Sequence, residues 1–421
     1  MKLATMFAAP LALAALTLAA APEITIKTDK AMPLYKVGEP VTFTVSALDN
    51  GKPLTKGTFA VKLTEDGGTA LDSKVVDLTN PESMKFTAKL DRPGFIRAAT
   101  ADYKDMEAPA KAAMAGAGFE PEKIKMGYDL PADFTKFWED GRKAIADKPV
   151  TLTKIDAKSD AKQTAYRVVV DVLNGEKLYG FLSVPNGKGP FPAIVTVPGA
   201  GPGAPGPNVR ENAIYLTMNV HKFDGALKSE DLRKQYDDNL AKLGYSYSVD
   251  QADNRDKYHF RNVILGVDRA ITEVTKMPQW DKKHFVIDGS SQGGAMALIL
   301  TGFNKNITAC AANVPAMCDH GGYKLGRQSG WPQINRNSKF GKSVDQVAPY
   351  YDAANFAKFI TVPVLTSAGF IDGTCSPSSV YAAYNEIKAP KQIVNTPVDG
   401  HTVTKIYTAI KTPWVNKEMT K

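Results

Sequence analysis

The chain is predicted to be an α/β protein: a mostly parallel sheet with helices on both faces, preceded by a small all-β domain of immunoglobulin-like type. Three observations carry this. Between about residues 22 and 103, short apolar runs alternate with period two and are separated by turn sequences. Further on, strand-like apolar runs alternate with helical patterns over roughly 250 residues, which is the pattern of a parallel sheet covered by crossovers. The 421 residues, 43% hydrophobic and 23% charged, have an ordinary globular composition and suffice for about two domains.

Taken in order, residues 1–21 read as a signal peptide. Lys2 forms a short positive region, "LALAALTLAA" (Leu11 to Ala20) is an apolar core, and Ala19, Ala20 and Ala21 offer small cleavage residues. The apolar run is short for a membrane span, so export to the periplasm or beyond is expected, without stable membrane insertion. Residues 22–105 form the all-β module. Its runs are "EITIKTD", "PVTFTVSAL", "GTFAVKLTED", "SMKFTAKL" and "GFIRAATADY", and "DNGK", "EDGG" and "DRPG" mark its turns. Such a module packs or spaces, and carbohydrate binding is the sharper alternative. Residues 106–130, with "EAPAKAAMAGAGFEPEKIK", read as a linker or a connecting strand and turn.

The larger domain spans residues 131–421. It opens on "PADFTKFWEDGRKAIAD", a helix with Asp133 as cap and Phe134, Phe137, Trp138 and Ile145 on one face. "FPAIVTVPG" and "AIYLTMNVH" are buried-strand runs. "FRNVILGVDRAITEV" is an amphipathic helix whose apolar residues Phe260, Val263, Ile264, Val267, Ile271 and Val274 keep helical spacing. "HFVID", "ITACAANVP", "VPVLTSAG" and "KQIVNTPV" are further strands.

Composition narrows the chemistry. The formal charge is +8, but the basic residues are dispersed, with no run interleaved with aromatics, so nucleic acid is not an expected partner. Three cysteines, Cys310, Cys318 and Cys375, lack metal-binding spacing, and the chain has only five histidines. No metal or cofactor is therefore expected. A Cys310–Cys318 disulfide and buried free thiols are both open.

The functional signal lies at "HFVIDGSSQGGAMALIL". Gly289-Ser290-Ser291-Gln292-Gly293 follows a strand and precedes a helix, and fits G-x-S-x-G with Ser291 in the middle. A sharp strand-to-helix turn exposes that hydroxyl, and the N–H of Gln292 can help hold an oxyanion. Ser290 reads as a packing residue. The alternative is a tight turn without chemistry. A serine needs a base, and the base needs an orienting acid, expected in the chain order Ser, acid, His. Only His320 and His401 follow Ser291. His401, after "KQIVNTPV", lies where a terminal catalytic loop belongs. Asp372, ending "VPVLTSAG", is the acid, with Asp399 as the weaker candidate. The glycine-rich "VPGAGPGAPGP" can supply a second oxyanion N–H at Ala200 or Gly201. No Lys-Ser/Thr follows it, which excludes a phosphate-binding P-loop.

"DFTKFW", "YHFRNVILGVDRAI", "GSSQGGAMAL", "GFIDGTCSPSSVYAAYN" and "DGH" together resemble the acetyl xylan esterase and cephalosporin C deacetylase family, carbohydrate esterase family seven. The likeness runs from about Pro131 to Pro413. It implies an α/β-hydrolase fold, removal of acetyl groups from sugar hydroxyls without a metal, and an acetylated carbohydrate as partner. It matches Ser291 to the nucleophile, Asp372 to the acid, His401 to the base and Gln292 to an oxyanion donor. Closed homo-oligomers are common in the family. Two departures alter the surroundings of the pocket: Lys222-Phe223-Asp224 stands where the family has Arg-Gly-Gln, and His401-Thr402 where it has His-Glu. A hydrolase of the same fold acting on another ester or a peptide bond, and a non-catalytic glycan binder, are the alternative readings.

Overall fold

The computed structural model describes residues 21–202, 206–208, 210–224, 229–244, 246–336 and 343–421. The expected signal peptide, Ala21 apart, lies outside the described residues.

The module contains β1 (Glu23–Thr28), β2 (Leu34–Tyr35), β3 (Val41–Asp49), β4 (Lys52–Pro53), β5 (Thr58–Glu65), β6 (Ala70–Asp77), β7 (Lys85–Ala88), β8 (Gly94–Lys104) and β9 (Met114–Phe119). One sheet has the order β1-β3-β4 with β7 also on β3, and the other runs β2-β9-β8-β5-β6. Alternation makes the shared core: Val41, Phe43 and Val45 from β3 meet Phe59, Val61 and Leu63 from β5. The module runs past the expected boundary at 105: within residues 106–130, read as a linker or a connecting strand and turn, β9 pairs antiparallel with β8 and carries the module to Phe119. "MAGAGF" has little apolar bulk, so its strand character comes from backbone pairing rather than from side chains. The edge strand β6 was not expected, because the residues from Ala70 to Ser73 are all exposed and leave no alternation to read.

The hairpin between β5 and β6 turns at Asp66 and Gly67, both at positive φ, and this places Asp66 against the larger domain near Arg327. Asp66 is buried, with Glu65, Ser378, Arg97 and Arg327 about it. Burial pushes its pKa up to about 7. The unfolded chain therefore loses this proton first as pH rises, and stability falls between about pH 4 and 7. Asp66→Asn removes the titration and keeps a residue that tolerates the left-handed backbone. The expected result is a higher unfolding midpoint than wild type at pH 8, with little gain at pH 4. A difference independent of pH would count against it.

The larger domain opens with α1 (Phe134–Ala144). Asp133 stands at its start but makes no capping bond. Its carboxylate instead accepts from Arg255 Nη1 at 2.9 Å and from the Tyr350 hydroxyl. Next come β10 (Val150–Lys154), β11 (Gln163–Asp171), β12 (Lys177–Pro185), β13 (Phe191–Val197), β14 (Ile214–Met218), α2 (Ser229–Leu243), α3 (His259–Val274), β15 (Trp280–Ser290), α4 (Gln292–Phe303) and β16 (Ala309–Asn313). The chain closes with α5 (Val344–Tyr351), α6 (Ala353–Ala357), β17 (Val364–Gly369), α7 (Pro377–Glu386), β18 (Lys391–Thr396) and α8 (Lys405–Glu418). The strand order is β10-β11-β12-β14-β13-β15-β16-β17-β18. β10, β11, β12 and β14 pair antiparallel, and every pairing from β14 to β18 is parallel.

Helices α3 and α4 pack in the main core on one face of this sheet. On the other face, Tyr407 of α8 packs on Leu365, and Val415 and Met419 pack with Ile194 and Val286. The structure is thus an α/β-hydrolase sheet with a β-rich N-terminal region. All three cysteines are buried and free, so Cys310 and Cys318 are not paired. Among the described residues no helix is long and apolar enough to cross a membrane.

Candidate active site

β15 is a central strand, and the chain leaves it at Ser290 to enter α4 at Gln292. Ser291 alone makes the turn, with φ 58° and ψ −120°. A non-glycine residue seldom occupies that region, and the surroundings hold it there. The Ser291 N–H donates to Asn313 O at 3.0 Å, and the Ala316 and Ala295 N–H groups donate to Ser291 O at 3.0 and 2.9 Å. The flanking glycines let helix and strands approach. A Cβ at Gly293 would lie 2.1 Å from Val197 O, and one at Gly289 2.2 Å from Gly293 O.

Two loops bring partners to the Ser291 hydroxyl. Asp372 lies three residues beyond β17 and is fully buried, and His401 lies between β18 and α8 and is exposed. Asp372 Oδ1 accepts the N–H groups of Thr374 and Cys375 at 2.8 and 2.9 Å, which leaves Oδ2 facing His401 Nδ1 at 2.8 Å. A carboxylate only accepts, so Nδ1 carries the imidazole proton. Nε2 then accepts from Ser291 Oγ, 2.8 Å away. The three residues that the sequence singled out are therefore in one hydrogen-bonded line, and the arrangement can activate a serine nucleophile.

Three of the other four histidines are committed elsewhere. His221 Nε2 donates to Gly201 O at 2.7 Å, His259 Nε2 donates to Val220 O at 2.9 Å, and His284 pairs with Asp281. Burial pushes His259 down to about 3 and lowers His221 as well, so both are neutral at pH 7. His320 is fully buried, neither ring nitrogen has a partner among the described residues, and burial holds it near 3. His320→Leu should therefore retain the wild-type reaction rate and unfold no earlier, because an unsatisfied polar ring is replaced by an apolar side chain. A rate loss above about tenfold would give His320 a role in the reaction. Three further acids that follow Ser291 in the chain have structural partners: Asp319 pairs with Arg327 at 2.7 Å, Asp345 accepts from Tyr128 and Tyr323, and Asp352 accepts the N–H groups of Asp319, His320 and Ala354.

The glycine-rich loop turns over the nucleophile. A Cβ at Gly199 would lie 3.9 Å from Ser291 Cβ. Ala200 is exposed, and Gly201 has φ +138° with its carbonyl engaged by His221. Gln292 contributes in a way the sequence did not disclose. Its side chain is fully buried and turned away from solvent. Nε2 donates to Pro198 O at 3.2 Å and Gly199 O at 3.4 Å, while Oε1 accepts from the Tyr247 hydroxyl at 2.7 Å. One residue thus ties the loop to the start of α4, where first-turn N–H groups have no helical partner. Tyr247 and His221 support this loop from behind, edge-on at 4.7 Å. A cavity of 420 Å³ bounded by His221, Phe223, Tyr247 and His259 lies behind the loop rather than at Ser291. No local motif marks Tyr247, which reaches Gln292 only through the fold.

Asn313, at the end of β16, is a second unforeseen residue. Its amide donates to Ser290 Oγ at 2.8 Å and to Thr402 O at 3.3 Å, and its carbonyl accepts from Ser367 Oγ at 2.7 Å. It couples the elbow, the His401 loop and β17. Ser290, expected to pack, is held in this network. At the two departures, Lys222 pairs with Glu176 at 2.8 Å, Asp224 takes the Arg167 guanidinium through both oxygens, and Phe223 stacks on His221 at 4.7 Å. Both charges are therefore directed to the β11–β12 side. Thr402 contributes its carbonyl to Asn313.

The chain is similar to several known proteins. A family model described as acetyl xylan esterase matches residues 122–417. The acetyl esterase Axe7A of Xylanibacter ruminicola is 30% identical over 397 residues, covering 92% of this chain and 88% of that protein. That match is longer than the stretch from 122 to 417, so it takes in part of the β-rich module as well. Among solved structures, an acetyl xylan esterase from Paenibacillus sp. R4 superposes with a TM-score of 0.59 at 20% identity, over 71% of this chain and 98% of the other. Acetyl xylan esterase 1 from Thermoanaerobacterium sp. JW/SL YS485 gives 0.59 at 19% identity with the same coverage. At these identities the structural likeness shows the fold.

Proposed function

The chain belongs to the acetyl xylan esterase family and is a carboxylic ester hydrolase, and from that premise we propose that it is an exported serine esterase that removes O-acetyl groups from carbohydrates, acetylated xylan or xylo-oligosaccharides foremost, through an acetyl-Ser291 intermediate. The observation that carries the reading is the line from Asp372 through His401 to Ser291, two hydrogen bonds of 2.8 Å at a strained elbow.

The reaction follows from that line. His401, oriented by Asp372, takes the Ser291 proton as Oγ attacks the acetyl carbonyl. The N–H of Gln292 and one at Ala200 or Gly201 receive the oxyanion, each such donor contributing roughly 3–4 kcal/mol to the transition state. His401 then protonates the departing sugar oxygen. Water, deprotonated by His401, attacks the acetyl carbon; the bond to Ser291 Oγ breaks as His401 gives the proton back to Oγ, and acetate leaves. Export is supported by the charge and apolar pattern of residues 1–21.

The test is acetate release from acetylated xylo-oligosaccharides by the full chain, alongside nitrophenyl esters of increasing acyl length. Acetate release with a preference for the two-carbon acyl group is expected. Preference for long acyl chains, with no acetate from the glycan, would overturn the substrate.

A further inference from the structure

Strands β8 and β9 form the side of the module that meets the catalytic domain. Along β8 the side chains alternate: Ile96 and Ala98 enter the module's own core, whereas Phe95 belongs to the core of the catalytic domain. Arg97 lies on the same side as Phe95. On β9, Gly118 and Gly116 pair with Phe95 and Arg97, while Ala115, Ala117 and Phe119 enter the module core. The alternating "AGAG" of β9 thus puts bare backbone on the outward side.

The chain that presses into this surface is the loop carrying Asp372. The Phe95 ring meets Phe370 edge-on at 4.9 Å and Tyr381 at 5.6 Å. The Phe370 carbonyl lies directly on Gly116, where a Cβ would come within 2.4 Å of that oxygen. At the other end of the loop the Arg97 guanidinium covers Gly373, where a Cβ would lie 2.8 Å from Nη1. The Gly373 carbonyl accepts Gln328 Nε2 at 2.6 Å. The segment holding Gln328 is itself seated on the β5–β6 hairpin: Thr69 Oγ1 donates to Gly326 O at 2.7 Å, and Gly68 lies against Gln328 N. On the opposite side, Phe370 N and Ile371 N donate to Thr396 O and Asp399 O. The acid's loop is thus held between β18 and the module.

We infer that the N-terminal module is a positioning element of the active site: through Phe95, Arg97 and Gly116 it sets where the Asp372 loop stands relative to His401. This rests on the reading of Asp372 as the acid. The N–H bonds from Thr374 and Cys375 fix the carboxylate within its own loop. The distance to His401 depends on where the whole loop lies, and the module is one of its supports, beside β18 and the segment of Gln328 and Trp331. Arg97 and Gly116 are positioning residues, touching neither substrate nor the reacting atoms.

The experiment uses the full chain with Arg97→Ala, Arg97→Lys and Gly116→Val. It follows ester hydrolysis and the rate of Ser291 labelling by a fluorophosphonate, together with the unfolding midpoint. A loop displaced by about an ångström should lower kcat roughly 10- to 100-fold in Arg97→Ala and Gly116→Val, with KM within about twofold. Arg97→Lys should recover most of the rate. Variants that unfold earlier yet keep wild-type kcat and labelling rate while folded would overturn the inference and leave the module a prop. If Gly116→Val does not fold, the partly exposed Arg97 decides alone. Wild-type chain that labels but releases no acetate from glycan overturns only the proposed substrate, since labelling rates still report on His401. Wild-type chain that does not label overturns both readings.

Discussion

Ser291→Ala should abolish acetate release and fluorophosphonate labelling together, with a fall in kcat on the order of 10⁶-fold. The hydroxyl is the only group lost. The backbone at φ 58° is held by bonds to Asn313, Ala316 and Ala295 that do not involve the side chain, so the elbow should persist and the unfolding midpoint should shift little. The residual rate would come from the oxyanion donors alone. For the same reason Ser291→Ala combined with His401→Ala should be no slower than either alone, because residues that act as a unit do not add. Acetate release by Ser291→Ala above about a hundredth of wild type would exclude Ser291 as nucleophile.

Asp372→Asn should cost about 10⁴-fold in kcat while leaving the fold intact. The new side chain can keep its oxygen on the Thr374 and Cys375 N–H groups, which turns its NH₂ toward His401 Nδ1. An NH₂ donates, so Nδ1 must become the acceptor and the imidazole proton moves to Nε2. That proton then faces Ser291 Oγ, and the base has no lone pair where it is needed. Measured kcat should fall with KM little changed, and the labelling rate should fall in parallel. A loss below about tenfold would transfer the orienting role to another acid, of which Asp399, two residues before His401, is the nearest in sequence.

The legible parts of this protein are those whose physics is local. The elbow needs small residues on either side of one serine, and that requirement is visible in five consecutive letters. α3 announces itself by apolar spacing, and His401 stands out because only five histidines exist and two follow Ser291. The antiparallel entry β10–β12 was not read. β10 has no buried residue and so little pattern to read, whereas β11 alternates and β12 is mostly buried, so their signal was present in the sequence. Asp133 has the chemistry of a helix cap, yet tertiary partners took its carboxylate.

The sequence by itself determined the α/β class with its β-rich N-terminal region and singled out Ser291, Asp372 and His401, because periodicity and turn chemistry act between near neighbours. Only the tertiary structure decided how those three side chains are held. Gln292 and Tyr247 set the glycine-rich loop, Asn313 joins three strand ends, and Arg97 meets Gly373 across a domain boundary. Each of these contacts joins residues far apart in the chain. Nothing in the residues' local spacing encodes such a contact, because it comes into being only when the sheets and the module have packed.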